Sequence, residues 1–187
     1  MLLYVICLVL VILIGGCYLK MIEYAYCAFI RHQPPMVPSR HAMRDAVSNV
    51  IRTDYPNAKT VCEIGAGWGG MVRFIARHTK TTVTGIENMP LSALMARGLN
   101  LFCPRARTIW ADAFGYLAAG HKFDIGVAYL GPRLTPRLME YSKNFRVLIS
   151  CDFEIPDLRP TCVIDLGRGY VLYRGKKYPH KLFVYEF

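Results

Sequence analysis

The chain has 187 residues and a formal net charge of +10, from 23 Lys+Arg against 13 Asp+Glu; that length suffices for one domain with a real core. Seven cysteines without a C-x-x-C pair and five isolated histidines argue against a disulfide framework and a zinc site, and for reduced, buried thiols. The positive excess suits anionic lipid headgroups, nucleic acid or acidic proteins. No aromatic-glycine RNA-binding strand motif is present, so nucleic acid is not an expected partner.

Residues 1–19 carry no charged side chain and are mostly Leu, Val, Ile and Cys. At about 1.5 Å per residue they just cross a bilayer core of about 30 Å. A transmembrane helix is expected, continuing past Lys20 to Phe29, with Tyr24 and Tyr26 in the interfacial zone. A cleaved signal peptide fits poorly, because a basic n-region and a small-residue cleavage site are missing. A lipoprotein reading of Ile14-Gly15-Gly16-Cys17 lacks the same basic residues. Lys20, Arg31, Arg40 and Arg44 follow the span, which places the rest of the chain on the cytoplasmic or matrix-equivalent side. Pro-rich Gln33–Pro38 then breaks any helix, and Ser39 suits an N-cap. Ala42, Met43, Ala46, Val47, Val50 and Ile51 recur at helical spacing. Residues 1–32 are thus expected as a transmembrane helix with a juxtamembrane extension, 33–59 as a Pro-rich linker and amphipathic entry helix, and 60–187 as the main domain.

From Thr60 the pattern alternates. Strands are expected at 60–64, 81–86, 108–110, 123–129 and 146–151, with helices at 70–78, 90–99, 113–119 and 136–145. Such alternation predicts a parallel sheet covered on both faces. The tail reads as strands at 161–166, 170–173 and 181–187, with Gly167-Arg168-Gly169 and Arg174–Lys177 as turns. The fold class expected is α/β: a Rossmann-like class I methyltransferase sheet ending in an antiparallel hairpin, preceded by one transmembrane helix.

The run Val61-Cys62-Glu63-Ile64-Gly65-Ala66-Gly67-Trp68-Gly69-Gly70 joins the first strand to the first helix of this domain, and Gly85-Ile86-Glu87 ends the second strand. A glycine turn lets backbone approach a nucleotide-like ligand, and an acid one strand later can take its ribose hydroxyls. Gly65, Gly67 and Gly70 also fit the dinucleotide spacing, but Glu63 would repel a pyrophosphate at the helix N-terminus. S-adenosylmethionine brings an ammonium and a sulfonium instead, so charge complementarity favours it. On this reading Glu63, Gly65, Ala66, Gly67 and Trp68 line the loop, and Glu87 and Asn88 face the ribose. Asp112 accepts from the adenine amino group, and Ala113 or Phe114 flanks the ring. An acid near a helix N-terminus is also favoured by the dipole alone. Tyr129, after the fourth strand, either hydrogen-bonds the acceptor nitrogen as a candidate catalytic residue or covers the core with its ring. No metal is expected.

Several stretches together resemble the membrane-anchored seven-β-strand protein-lysine methyltransferases that modify the ATP synthase c-subunit and the adenine nucleotide translocase, with their bacterial relatives. Pro35-Met36-Val37-Pro38-Ser39 is similar to the family's entry segment, and Glu63-Ile64-Gly65-Ala66-Gly67 to its Asp-Leu-Gly-Ser-Gly. Gly85-Ile86-Glu87-Asn88-Met89-Pro90 resembles its second strand end. Leu130-Gly131-Pro132 with Pro136 and Leu138 resembles the segment after the fourth strand, and Arg146–Phe153 with Pro156 and Pro160 the fifth-strand tail. The likeness covers about residues 34–160. The chain departs from the family at Trp68-Gly69-Gly70, where the family carries Gly-Asp-Gly-Arg, and at Asn88, where it carries Leu. The resemblance implies lysine methylation of a membrane protein, with S-adenosylmethionine as cofactor and the lipid bilayer as a second partner. A lipid or other membrane small-molecule acceptor and a non-catalytic scaffold are the alternatives.

Overall fold

The computed structural model describes residues 1–26, 39–173 and 175–187. The chain divides into two units, Met1–Val37 and Pro38–Phe187. In the first, helix α1 (Leu2–Ala25) exposes apolar side chains such as Leu3, Leu8, Val11 and Ile14. Its stretch Leu3–Ala25 is long and apolar enough to cross a membrane, and Lys20 pairs with Glu23 one turn on. The expected continuation to Phe29 and the break at Gln33–Pro38 lie outside the described residues.

The second unit opens with α2 (His41–Thr53), whose Met43, Val47, Val50 and Ile51 are buried, the stripe that the helical spacing predicts. Ser39 does not cap it. Arg40 holds the N-cap position without a side-chain bond, because the Ser39 hydroxyl instead accepts from Arg44 Nε at 2.9 Å.

Seven strands follow: β1 (Thr60–Ile64), β2 (Thr82–Glu87), β3 (Ala106–Trp110), β4 (Phe123–Ala128), β5 (Phe145–Cys151), β6 (Cys162–Tyr173) and β7 (Lys176–Glu186). Their order is β3-β2-β1-β4-β5-β7-β6. The first five run parallel, and β7 is antiparallel to both β5 and β6. The sheet is therefore the expected parallel one with an antiparallel C-terminal hairpin. Between strands lie α3 (Gly70–His78), α4 (Pro90–Asn100), α5 (Ala113–Ala118) and a 3₁₀ segment at Thr135–Asn144, where a regular helix is expected. One core packs Val61, Val83, Ile125, Val127 and Ile149 with Val47, Ile51, Val72 and Ile75 of α2 and α3. The other packs Cys62, Ile64, Ile86 and Leu148 with Phe114, Leu117 and Leu138.

The tail corrects two sequence expectations. Gly167-Arg168-Gly169 is not a turn but an irregularity inside one long strand, between Asp165 and Tyr170. Cys162 lies exposed on that edge strand, unlike buried Cys62, Cys103 and Cys151.

In the interior of β2, Gly85 pairs with Glu63, and a Cβ there would lie 2.6 Å from both Ala66 Cβ and Val72 Cγ2. The missing side chain lets the β1–α3 turn settle on the sheet. Gly85→Ala is expected to cost about 1–3 kcal/mol by overpacking, read as a lower urea midpoint at unchanged slope.

Candidate functional site

The five parallel strands end along one edge, and the turns that leave them build the site. After β1, the Gly65 and Ala66 N–H groups donate to the Ile86 carbonyl at 2.9 and 3.1 Å, which folds the loop back onto the end of β2. Gly65, Gly67 and Gly69 have φ of 77, 53 and 70°, left-handed values that residues with a Cβ rarely adopt. Gly67 N–H then donates to Glu87 Oε2 at 2.6 Å, while Met89 N–H donates to Oε1 at 2.8 Å. The buried Glu87 carboxylate thus ties the glycine loop to the β2–α4 connection. Asn88 is half-buried, and its carbonyl accepts from Trp110 Nε1 at 3.2 Å. Trp68 lies in the loop, 42% exposed, and its carbonyl accepts from Arg73 at 2.7 Å.

Glu63 is 5% exposed and accepts from the Val72 N–H, yet its Oε2 is buried without a partner among the described residues. Burial raises its pKa first, and the Glu87 charge adds to this. The Val72 bond and the Arg44 and Arg73 guanidinium groups work against it, and the balance is about 8. Near neutral pH this carboxyl holds its proton, and a cation brought to Oε2 would draw that proton off.

Asp112 is exposed and caps α5, its Oδ2 accepting from Gly115 N–H at 2.7 Å. The bond from Ala111 N–H to the Glu87 carbonyl, 3.0 Å, keeps this turn beside the end of β2. Ala113 is half-buried at the start of α5. Phe114 is not placed to flank a ring: it is buried in the core, with Arg137 stacked 4.0 Å over it.

Tyr129 is half-buried just past β4. Its hydroxyl donates to the Asp152 carboxylate, and burial together with that charge holds the phenol un-ionised. Its proton is therefore committed to Asp152, a residue that sequence reasoning did not select. Asp152 is 2% exposed and adopts φ of 63°. It also binds His180 Nδ1, at 3.1 Å from Oδ2, and Lys181 N–H at 3.2 Å. Asp152 repeats the acid-after-strand pattern that singled out Glu63, Glu87 and Asp112. His180 gives no local signal, since only the β5–β7 pairing brings it here. Trp110 stands beside Glu87 through the β2–β3 register, a neighbour that only the strand pairing reveals.

No family model matches the sequence, and a search of the curated proteins finds no significant match. Solved structures do match. An RNA methyltransferase from Salinibacter ruber in complex with S-adenosyl-L-homocysteine is 19% identical, with a TM-score of 0.64, over 80% of this chain and 93% of that one. An O-methyltransferase from Bacillus cereus, also in complex with S-adenosylhomocysteine, is 14% identical, with a TM-score of 0.61, over 92% of this chain and 90% of that one. A SAM-dependent methyltransferase from Thiobacillus denitrificans is 18% identical, with a TM-score of 0.51, over 70% of this chain and 54% of that one. The fold is that of the class I methyltransferases.

The raised pKa of Glu63 has a consequence for stability. In the unfolded chain this carboxyl ionises near 4.5, in the folded chain near 8, so between those values the unfolded state binds fewer protons. The stabilisation is fully present below about pH 4.5 and is lost as the pH rises to about 8, at up to about 1.4 kcal/mol per unit. Glu63→Gln removes that loss. The variant is expected to melt higher than wild type at pH 8, with the difference shrinking towards pH 5 in thermal scans.

Proposed function

We propose that the chain is an S-adenosylmethionine-dependent methyltransferase, held at a membrane by α1 and acting on lysine side chains of a membrane protein. One observation carries the cofactor assignment: a glycine loop bonded to the Glu87 carboxylate adjoins a buried Glu63 oxygen that has no partner among the described residues. An orphaned buried carboxylate oxygen is costly, and an ammonium is the partner that suits it. The Glu63 and Glu87 pair, the loop backbone at Gly65–Trp68, and Asn88, Asp112 and Ala113 would hold the group, which supplies an activated methyl on a sulfonium. The neighbours crystallised with S-adenosylhomocysteine support the same assignment.

The acceptor rests on the family resemblance over about residues 34–160. Helix α1 is long and apolar enough to serve as the tether, which would confine the search to the bilayer surface and raise the effective concentration of acceptors there; the cytoplasmic or matrix-equivalent side rests on the basic residues that follow the span. Residues 1–32, 33–59 and 60–187 would then serve as anchor, linker with entry helix, and methyltransferase domain.

Calorimetry on the full chain in detergent tests the cofactor. S-adenosylmethionine is expected to bind, and Glu87→Ala to weaken binding at least tenfold. Wild-type affinity should rise with pH towards about 8, the value of the Glu63 carboxyl, by up to about tenfold per unit, while Glu63→Gln shows little dependence. No binding by wild type would refute the assignment. With radiolabelled cofactor and membranes, label in a protein band supports the lysine acceptor, and label in the lipid extract overturns it.

A further inference from the structure

Beyond the cofactor loop, the edge of the sheet carries a second buried polar cluster that the preceding reading leaves unused. Asp152 gathers the Tyr129 hydroxyl, the Lys181 N–H and the His180 ring nitrogen Nδ1. The other ring nitrogen of His180, Nε2, is buried without a partner among the described residues, on a side chain 5% exposed. Beside it the strand carries a glycine: a Cβ at Gly169 would lie 3.0 Å from His180 Cδ2, 3.3 Å from Nε2 and 3.2 Å from Arg40 Nη1. The glycine thus lets the strand backbone pack directly against the His180 ring and the Arg40 guanidinium, near Tyr129, the residue that follows β4.

We propose that His180 is the proton acceptor of the methyl-transfer site, with Asp152 as its positioning residue, and that it serves an N–H or O–H nucleophile that arrives uncharged. The assignment rests on the methyltransferase reading. A carboxylate at Nδ1 holds the proton on that nitrogen and turns the lone pair of Nε2 outward, the arrangement by which a buried acid orients an imidazole base. When the acceptor atom forms its bond to the methyl carbon, the C–S bond breaks and its electron pair stays on sulfur. The proton left on the acceptor passes to Nε2, so the acceptor ends without added charge and the imidazole becomes cationic beside the Asp152 carboxylate. Arg40 beside the ring disfavours an ammonium as the arriving group. The groups facing the imidazole are Asp152 from the end of β5, Tyr129 from the end of β4 and Arg40 from the start of α2, with Cys151 behind Asp152. The irregular stretch of β6 lies over the ring at Gly169, and on this proposal that stretch would have to move aside for the acceptor to reach Nε2. The left-handed φ of Asp152 fits the same picture, since backbone held in a sparsely populated region collects at functional sites.

Asp152→Asn is the test, because asparagine tolerates a positive φ well and keeps the backbone bond. Its amide donates to Nδ1 and forces the proton onto Nε2. Nitrogen NMR on wild-type full chain in detergent should show His180 protonated at Nδ1, and the variant should show the proton at Nε2. At saturating cofactor, where the Glu63 dependence is removed, turnover by the variant should fall about 10²–10⁴-fold, with cofactor affinity within about twofold of wild type and the acid limb of the wild-type pH profile lost. Wild-type His180 protonated at Nε2, or a variant turning over at the wild-type rate, would overturn the assignment. Absence of cofactor binding by wild type would instead remove the methyltransferase reading, and the tautomer measurement separates the two failures.

Discussion

The architecture of the edge that carries the glycine loop depends on one close approach, that of the β1–α3 turn over Gly85. A side chain at that position would collide with Ala66 and Val72. Without one, the turn lies on β2, its N–H groups reach the Ile86 carbonyl, and Gly67 meets the Glu87 carboxylate. The same contact fixes the start of α3, whose Val72 N–H is the one hydrogen-bond donor to Glu63 among the described residues. Strand pairing, loop shape and the placement of two carboxylates are therefore one packing event.

The chain is basic, and it buries several of its 13 acids together at one edge. Glu63, Glu87 and Asp152 are each 5% exposed or less, and burial raises the pKa of Glu63 and of Asp152. Buried ionisable groups oppose folding unless they are paired, and two atoms at the same edge, Glu63 Oε2 and His180 Nε2, have no partner among the described residues. They divide the edge into one end around β1 and β2, which carries the glycine loop, and a second end around β4, β5 and β7. Tyr129 belongs to the second, with its hydroxyl committed to Asp152.

Local patterns made much of this legible. Short apolar runs gave the parallel strands to within a residue or two, because β1, β2, β4 and β5 are buried on both faces over most of their length, whereas β3 at the sheet edge exposes Arg107 and Trp110. Acids at strand ends gave Glu63, Glu87 and Asp112, because the chain direction of a parallel sheet sends all those ends to one side. Other features resisted. Ser39 has the chemistry of a cap but bonds Arg44, since a hydroxyl takes whichever donor the tertiary fold presents. Phe114 is a plausible ring partner in sequence, yet α5 turns it into the core. The glycines at 167 and 169 read as a turn, but the β6–β7 pairing continues across them.

What the sequence by itself determined is the order of elements, the apolar helix α1, the glycine loop and the acids that follow β1, β2 and β3. Each of these is encoded over a few neighbouring residues, by periodicity, by backbone freedom or by charge. What only the tertiary structure decided is which partners those groups acquire: Glu87 bonded to Gly67 across two strands, Glu63 with one oxygen that has no partner among the described residues, and Tyr129, Asp152 and His180 drawn together from the ends of β4 and β5 and from β7. The reason is physical. Whether a polar atom is satisfied depends on contacts between segments distant in sequence, and those contacts exist only once the sheet has brought its strand ends to a common edge.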